Sequence, residues 1–406
     1  MHDPSRVRVS GPLEAFASGF AAELVRVGYR RVPIVFQLQL LAHASRWLAG
    51  EELGAGALTS EVAERFLAER RAAGYTSYVT ARAMAPLLGY LRGLGVAPPP
   101  SRAVPVGAAE VLLADYREYL TVERGLTTDT IEGYVLAVRP FLDGRLRGGD
   151  ELDLAGLGAA EVVAFVVERC PGQSRGAAKM TVTALRSLLR FLQLRGLIAG
   201  PLADAVPSTA SWRLSGLPRA LEPEQLDALL GSCDRSTANG RRDYAVLVML
   251  ARLGLRAGEV AALRLEDVDW RAGELRIVGK GRRAERLPLP ADVGEAIVAY
   301  LQDGRPATAQ DRSLIVRVRA PYEGLTTGGV TQIVFAAAGR AGLGPLHSHR
   351  LRHTAATQML RAGASLEEIG QVLRHRQALT TAIYAKVDRD ALRQLARPWP
   401  ETEARP

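Results

Sequence analysis

Cysteine is scarce: Cys170 and Cys233 are the only two in 406 residues. They stand far apart and in no metal-ligand spacing, which argues against a disulfide framework and against a thiolate zinc site. Lysine is scarce too. Lys179, Lys280 and Lys386 are the only lysines among 52 basic residues. Codon usage in a GC-rich genome accounts for the imbalance in general, but it singles out each remaining lysine, because an ammonium can release a proton near neutral pH and a guanidinium cannot. Long apolar runs are missing as well. The longest, YAVLVMLA at 244–251, falls far short of the ~20 residues needed to span a bilayer. The opening MHDPSRVRVSGPLEAF has no uninterrupted apolar stretch of the secretory kind. A cytoplasmic protein without membrane segments is expected.

What is present is enough to build packed cores: 48% of the residues are hydrophobic, well above a disordered composition. The net charge is +9 and the pI about 9.9, a balance that favours polyanions, nucleic acid above all. Two breaks divide the chain. GVAPPPSRAVPVG (95–107) is a proline-rich linker, and PSTASWRLSGLP (207–218) is polar, irregular and bounded by prolines. The pieces are 1–96, 107–206 and 219–396, followed by a tail at 397–406. The first two pieces share a design at an offset of about one hundred residues. Each shows amphipathic helices in the same order, closing on ARAMAPLLGYLRGLGV in one and TVTALRSLLRFLQLRGLI in the other, which suggests a duplicated helical unit.

The third piece is mixed. EPEQLDALLGSC places Pro223 just inside a helix, where its missing N–H costs nothing. RRDYAVLVMLARLG reads as a buried helix ending on a left-handed cap at Gly254. ELRIVGKGRRAERLPL alternates on both sides of a Gly-flanked turn and predicts a β-hairpin. Helices are expected at about 291–303, 328–341, 349–362 and 365–373. The fold class is therefore mainly α, with a C-terminal α+β domain holding a small antiparallel sheet.

The densest chemistry is HSHRLRH at 347–353, which holds three of the six histidines. A metal site would need imidazoles converging without the guanidinium groups of Arg350 and Arg352 between them. An anion site fits better, since His349 and Arg352 lie one helical turn apart and present donors matched to phosphate oxygens. A solvated basic helix face remains open on this stretch alone. Elsewhere, GLRAGEVAAL places Arg256 at a helix junction with Glu259 three residues on, VGKGRR sets Lys280 on a Gly-flanked turn, and LRHRQALTTAIYAKV supplies His375 and Tyr384. Each is weak by itself.

Taken in order, Arg256, Lys280, His349, Arg352, His375 and Tyr384 resemble the active-site series of the tyrosine recombinases, the phage-integrase family. The motifs are GLRAGEVAALRLEDVD, GKGRRAERLPL, HRLRHTAAT and LRHRQALTTAIY. The resemblance runs over about 108–390, with 107–206 similar to the family's helical, SAM-like core-binding domain and 219–396 to its catalytic domain; residues 1–96 lie outside it. It implies site-specific recombination of double-stranded DNA through a 3′-phosphotyrosyl intermediate on Tyr384, with no metal, ATP or other cofactor. Arg256, Arg352 and His375 would stabilise the charge that metal ions meet in other phosphoryl transfers, Lys280 would protonate the leaving 5′-oxygen, His349 would accept the tyrosine proton, and Glu259 would orient Arg256. A homotetramer assembled on DNA, with accessory DNA-binding proteins as further partners, is implied too. The alternative is a DNA-binding member of the same fold that has lost catalysis. One departure stands out: the family commonly carries Leu-Gly-His where this chain has Leu373-Arg374-His375, and an arginine there predicts ordinary helical or turn dihedrals.

Overall fold

The computed structural model describes residues 6–100, 105–148, 151–208, 220–279, 284–374, 378–381 and 383–384. Contacts divide the chain into two compact units, one made of 1–101 together with 216–406 and the other of 102–215.

The first unit begins with four helices, α1 (Ala17–Arg26), α2 (Arg31–Gly50), α3 (Ser60–Ala72) and α4 (Ala81–Gly93). Thr59 starts α3 by accepting the Val62 N–H at 3.2 Å, which satisfies one of the orphan donors of the first turn. Phe20, Leu24, Leu38, Leu41, Leu48, Leu67, Leu87 and Leu91 form the common core. Helix α2 buries residues around much of its circumference, including Ile34, Leu38, Leu40, Leu41 and Leu48, because neighbours pack on more than one side of it.

The second unit is built from α5 (Ala108–Val122), α6 (Thr128–Asp143), a short hairpin of β1 (Leu146–Arg147) and β2 (Glu151–Leu152), α7 (Ala159–Arg169) and α8 (Arg175–Leu194). Ser174 caps α8 through the Ala177 N–H. Along α8 the buried residues Ala178, Val182, Leu185, Leu188, Leu189 and Leu192 recur at helical spacing, the stripe by which an amphipathic helix closes a core. Tyr116 and Phe191 meet at 5.3 Å between ring centroids. The β1–β2 hairpin has no alternating signal in the sequence; its two-residue strands are too short to carry one.

The remainder of the first unit holds α9 (Pro223–Gly231), α10 (Ala238–Arg252), α11 (Ala257–Ala262), β3 (Val268–Asp269), β4 (Glu274–Val278), β5 (Ala284–Pro288), α12 (Ala291–Asp303), α13 (Thr327–Arg340), α14 (Ser348–Arg361), α15 (Leu366–Val372) and α16 (Ala378–Thr381). Helix α10 is the hub. Every residue from Ala245 to Ala251 is buried, as an apolar run surrounded by α12, α13 and α14 must be. The strands form an antiparallel sheet in the order β3-β4-β5, with Leu275 opposite Leu287 and Ile277 opposite Glu285. The hairpin expected from alternation is present, and β3 adds a third strand that the sequence did not suggest. No helix among the described residues is long and apolar enough to cross a membrane.

Candidate active site

Arg256 owes its position to the end of α10. Gly254 takes φ +59°, the left-handed conformation expected of a helix-ending glycine, and the chain turns so that Arg256 becomes the N-cap of α11. Arginine has no short oxygen with which to cap a helix. Glu259 on the first turn supplies the bond instead: its Oε2 accepts the Arg256 backbone N–H at 2.8 Å and its Oε1 accepts the Arg256 guanidinium at 2.6 Å. Arg256 is thereby held at both ends while its side chain stays 44% exposed, free to meet a ligand. Burial pushes the Glu259 carboxyl up, but the Arg256 N–H and the charges of Arg374 and Arg256 outweigh it and leave the group below the usual carboxylate range.

His349, Arg352 and His353 project from α14 at helical spacing, so the three share a face. Arg352 is 1% exposed. It donates to the Gly254 carbonyl at 2.6 Å and to the Leu373 carbonyl, which lie at the C-terminal ends of α10 and α15, where helix dipoles favour a cation. Desolvation, then the neighbouring Arg256 and Arg374, bring its pKa down to about 10, so it remains charged at neutral pH.

Tyr384 is 2% exposed. Its hydroxyl lies 2.9 Å from Nδ1 of His353, and which of the two donates the hydrogen bond depends on the imidazole tautomer. The His353 ring meets Tyr384 edge-on at 5.6 Å and His349 edge-on at 4.6 Å. Burial pushes the phenol up against the opposing pull of Arg352. Desolvation, His349 and Arg352 bring His353 down to about 4, and desolvation, Arg352 and Arg256 lower His349 as well. At neutral pH the phenol is protonated and both imidazoles are neutral.

Arg374 departs from the sequence expectation. Instead of ordinary helical or turn dihedrals it takes φ +54°, the left-handed conformation that suits the family's usual glycine and costs a non-glycine residue roughly 1–2 kcal/mol. The compensation is visible. Its side chain is 4% exposed and pairs with Glu259 at 2.8 Å, and it donates to the Val372 carbonyl at 2.9 Å.

The structure brings Arg256, Glu259, His349, Arg352 and Tyr384 into one site. Lys280 and His375 lie outside the described residues. Two further residues join the site: Arg374, which stands where the family commonly has glycine, and His353, the last of the three histidines in HSHRLRH. His353 falls four residues after His349 on the Arg352 face, and that spacing was the available signal.

The model of the phage integrase family matches residues 219–390. A Sinorhizobium fredii protein assigned by name to the integrases and recombinases (y4rA) is 43% identical over 397 residues, covering 96% of this chain and 95% of the relative. The tyrosine recombinase XerD of Listeria monocytogenes is 30% identical over 288 residues, covering 70% of this chain and 96% of the relative. Among solved structures, XerH recombinase bound to a palindromic difH substrate superposes with a TM-score of 0.56 at 19% identity, covering 84% of this chain and 97% of that one. A lambda integrase dimer on a core site gives 0.54 at 18% identity, covering 73% of this chain and 99% of that one. The two structural likenesses bear on the fold.

Proposed function

Since the chain belongs to the phage integrase family, we propose that it is a site-specific recombinase that cuts and rejoins double-stranded DNA through a 3′-phosphotyrosyl intermediate, using neither metal nor ATP. The observation that carries this reading is the meeting of a buried Tyr384 hydroxyl with His353 on the same face of α14 that presents Arg352 and His349.

Tyr384 attacks the scissile phosphorus and the 5′-oxygen leaves. The phosphotyrosyl bond keeps the energy of the broken linkage, so rejoining needs no external source. Negative charge gathering on the non-bridging oxygens meets Arg256 and Arg352, with His375 assisting from the sequence position the family pattern assigns it. Fixed donors aimed at developing charge need no reorganisation during reaction, which is why such groups contribute strongly to catalysis. Lys280 gives the leaving oxygen its proton. The helical unit at 102–215 adds phosphate contacts, whose affinity falls steeply with salt. The working form is a homo-oligomer on DNA, as in the DNA-bound lambda integrase dimer and tetramer, and accessory DNA-binding proteins belong to the same assembly. Its place is the cytoplasm, at the nucleoid.

Covalent capture of a nicked duplex tests the reading. Tyr384→Phe forms no protease-sensitive DNA adduct while still binding the duplex; an adduct with the Phe variant would overturn the assignment. A wild-type chain that binds its site yet forms no adduct would favour the alternative of a DNA-binding member without catalysis. For Lys280, a substrate with sulfur at the 5′-bridging position leaves without protonation, so Lys280→Ala should regain cleavage on it. Absence of that rescue would remove Lys280 as the acid.

A further inference from the structure

We propose that His353, rather than His349, is the group that takes the phenolic proton of Tyr384 during strand cleavage and returns it during rejoining. The inference rests on the recombinase reading above and adds a catalytic residue to it.

The geometry makes the distinction. The Tyr384 hydroxyl touches His353 Nδ1 at 2.9 Å, within the 2.6–3.2 Å reach a general base needs. Among the described residues the hydroxyl's hydrogen bond goes to His353 and not to His349, whose ring packs against that of His353 at 4.6 Å. His349 precedes Arg352 by three residues on α14, and Arg256 acts on it but not on His353, so it is the histidine assigned to the anion side of the site. There a neutral imidazole serves as a donor to a phosphate oxygen. The two histidines thus divide the work, one beside the nucleophile and one beside the phosphate.

The proton balance closes. As the Tyr384 oxygen bonds to phosphorus, its proton moves to His353 Nδ1 and the bond from phosphorus to the 5′-oxygen breaks. That oxygen leaves as a hydroxyl with the proton from Lys280. In rejoining, the 5′-hydroxyl attacks, Lys280 recovers its proton, and the His353 imidazolium protonates the departing phenolate. Burial, then His349 and Arg352, oppose an imidazolium at His353. An incoming phosphodiester offsets the Arg352 charge, so His353 gains basicity when substrate is present.

Single-turnover capture of a nicked duplex at neutral pH tests this. His353→Ala and the more conservative His353→Gln should each slow capture by roughly 10²- to 10³-fold, the usual contribution of a positioned base, with duplex binding retained. Replacing Tyr384 by a polyfluorinated tyrosine, whose phenol ionises near neutral pH, removes the need for a base. In that background the His353 variants should return to within about tenfold of the fluorinated parent, while His349→Ala stays slow. Wild-type rates for both His353 variants, no rescue on fluorination, or rescue of His349→Ala instead would each overturn the proposal. An adduct formed by Tyr384→Phe would instead remove the nucleophile assignment beneath it, so the two failures are distinguishable.

Discussion

Arg256 and Arg374 share the carboxylate of Glu259, one on each oxygen, at 2.6 Å and 2.8 Å. The two halves are unequal. Glu259 and Arg374 are 6% and 4% exposed, whereas Arg256 is 44% exposed. Removing one partner of a buried pair strands the other charge and costs about 3–5 kcal/mol; an exposed partner contributes about 1 kcal/mol or less. Glu259→Gln and Arg374→Gln should therefore each lower unfolding free energy in urea by about 3 kcal/mol. Arg256→Gln should leave stability nearly unchanged and abolish covalent capture of nicked DNA. Equal stability losses for all three would mean that Arg256 is a structural member of the pair.

The same residue sets up a reversal of ordinary mutational behaviour. Arg374→Gly and Arg374→Ala lose the same ion pair, but at φ +54° alanine carries a left-handed penalty that glycine escapes, about 1 kcal/mol. Glycine should be the more stable replacement in urea melts. Alanine equal to or better than glycine would show that residue 374 leaves the left-handed region once the pair is gone.

Acid should weaken the protein in two separate steps. The His353 pKa is depressed from 6.5 to about 4, so between those values the unfolded chain binds the proton and the folded chain does not. The contribution is fully present above pH 6.5 and is lost as pH falls toward 4, amounting to roughly 2–3 kcal/mol after allowance for partial exposure. His349 is shifted the same way. Glu259, shifted below its usual 4.5, contributes stability that is lost only below that value. His353→Gln should flatten the first step and leave the second, as read by thermal melts from pH 8 to pH 3. An unchanged slope between pH 6.5 and 4 would show that His353 titrates normally.

Much of this fold was legible because it is written in local patterns. The apolar run at 244–251 needed neighbours on all sides and became the hub helix α10. Gly254 was readable as a left-handed cap because few residues tolerate that conformation. The alternation in ELRIVGKGRRAERLPL produced β4 and β5, whereas β3 is two residues long and takes its identity from the edge of β4. In the site, Arg256 and Glu259 were readable as a pair because they are three residues apart. The Arg374 pair spans 115 positions, and no local pattern records it. Likewise His353 belongs to Tyr384 only through the packing of α14 against the segment after α15. The expectation of ordinary dihedrals at Arg374 went astray because propensity was allowed to outweigh tertiary compensation.

Gly254 links the core to the candidate site. A Cβ there would lie 2.5 Å from Leu373 Cδ2, and Leu373 is fully buried. The carbonyls of both residues hold the Arg352 guanidinium. Gly254→Ala should cost roughly 2–3 kcal/mol from backbone strain and overpacking. It should also slow DNA cleavage at temperatures where the variant is fully folded, because the two carbonyls that aim Arg352 shift together. Normal cleavage alongside lowered stability would mean that Arg352 keeps its aim without them.

Gly28 plays a comparable part where the first four helices meet the rest of their unit. It ends α1 at φ +90°, with the Gly28 N–H bonded to the Val25 carbonyl and the Tyr29 N–H to the Leu24 carbonyl, the paired bonds of a Schellman ending. A Cβ at this position would fall 2.1 Å from Tyr322 Cε2, so the turn presses its bare backbone against the Tyr322 ring. Gly28→Ala therefore faces a conformational penalty of about 1–2 kcal/mol and must also displace the ring. The strain is local, so hydrogen exchange should speed up in α1 and the start of α2 while α10 keeps its protection. Tyr322→Ala, which makes room for the added methyl, should recover part of the lost protection in the double variant. If α1 and α10 lose protection equally, the two parts unfold as a single cooperative block, and the contact at Gly28 is one of many holding them rather than the place where they come apart.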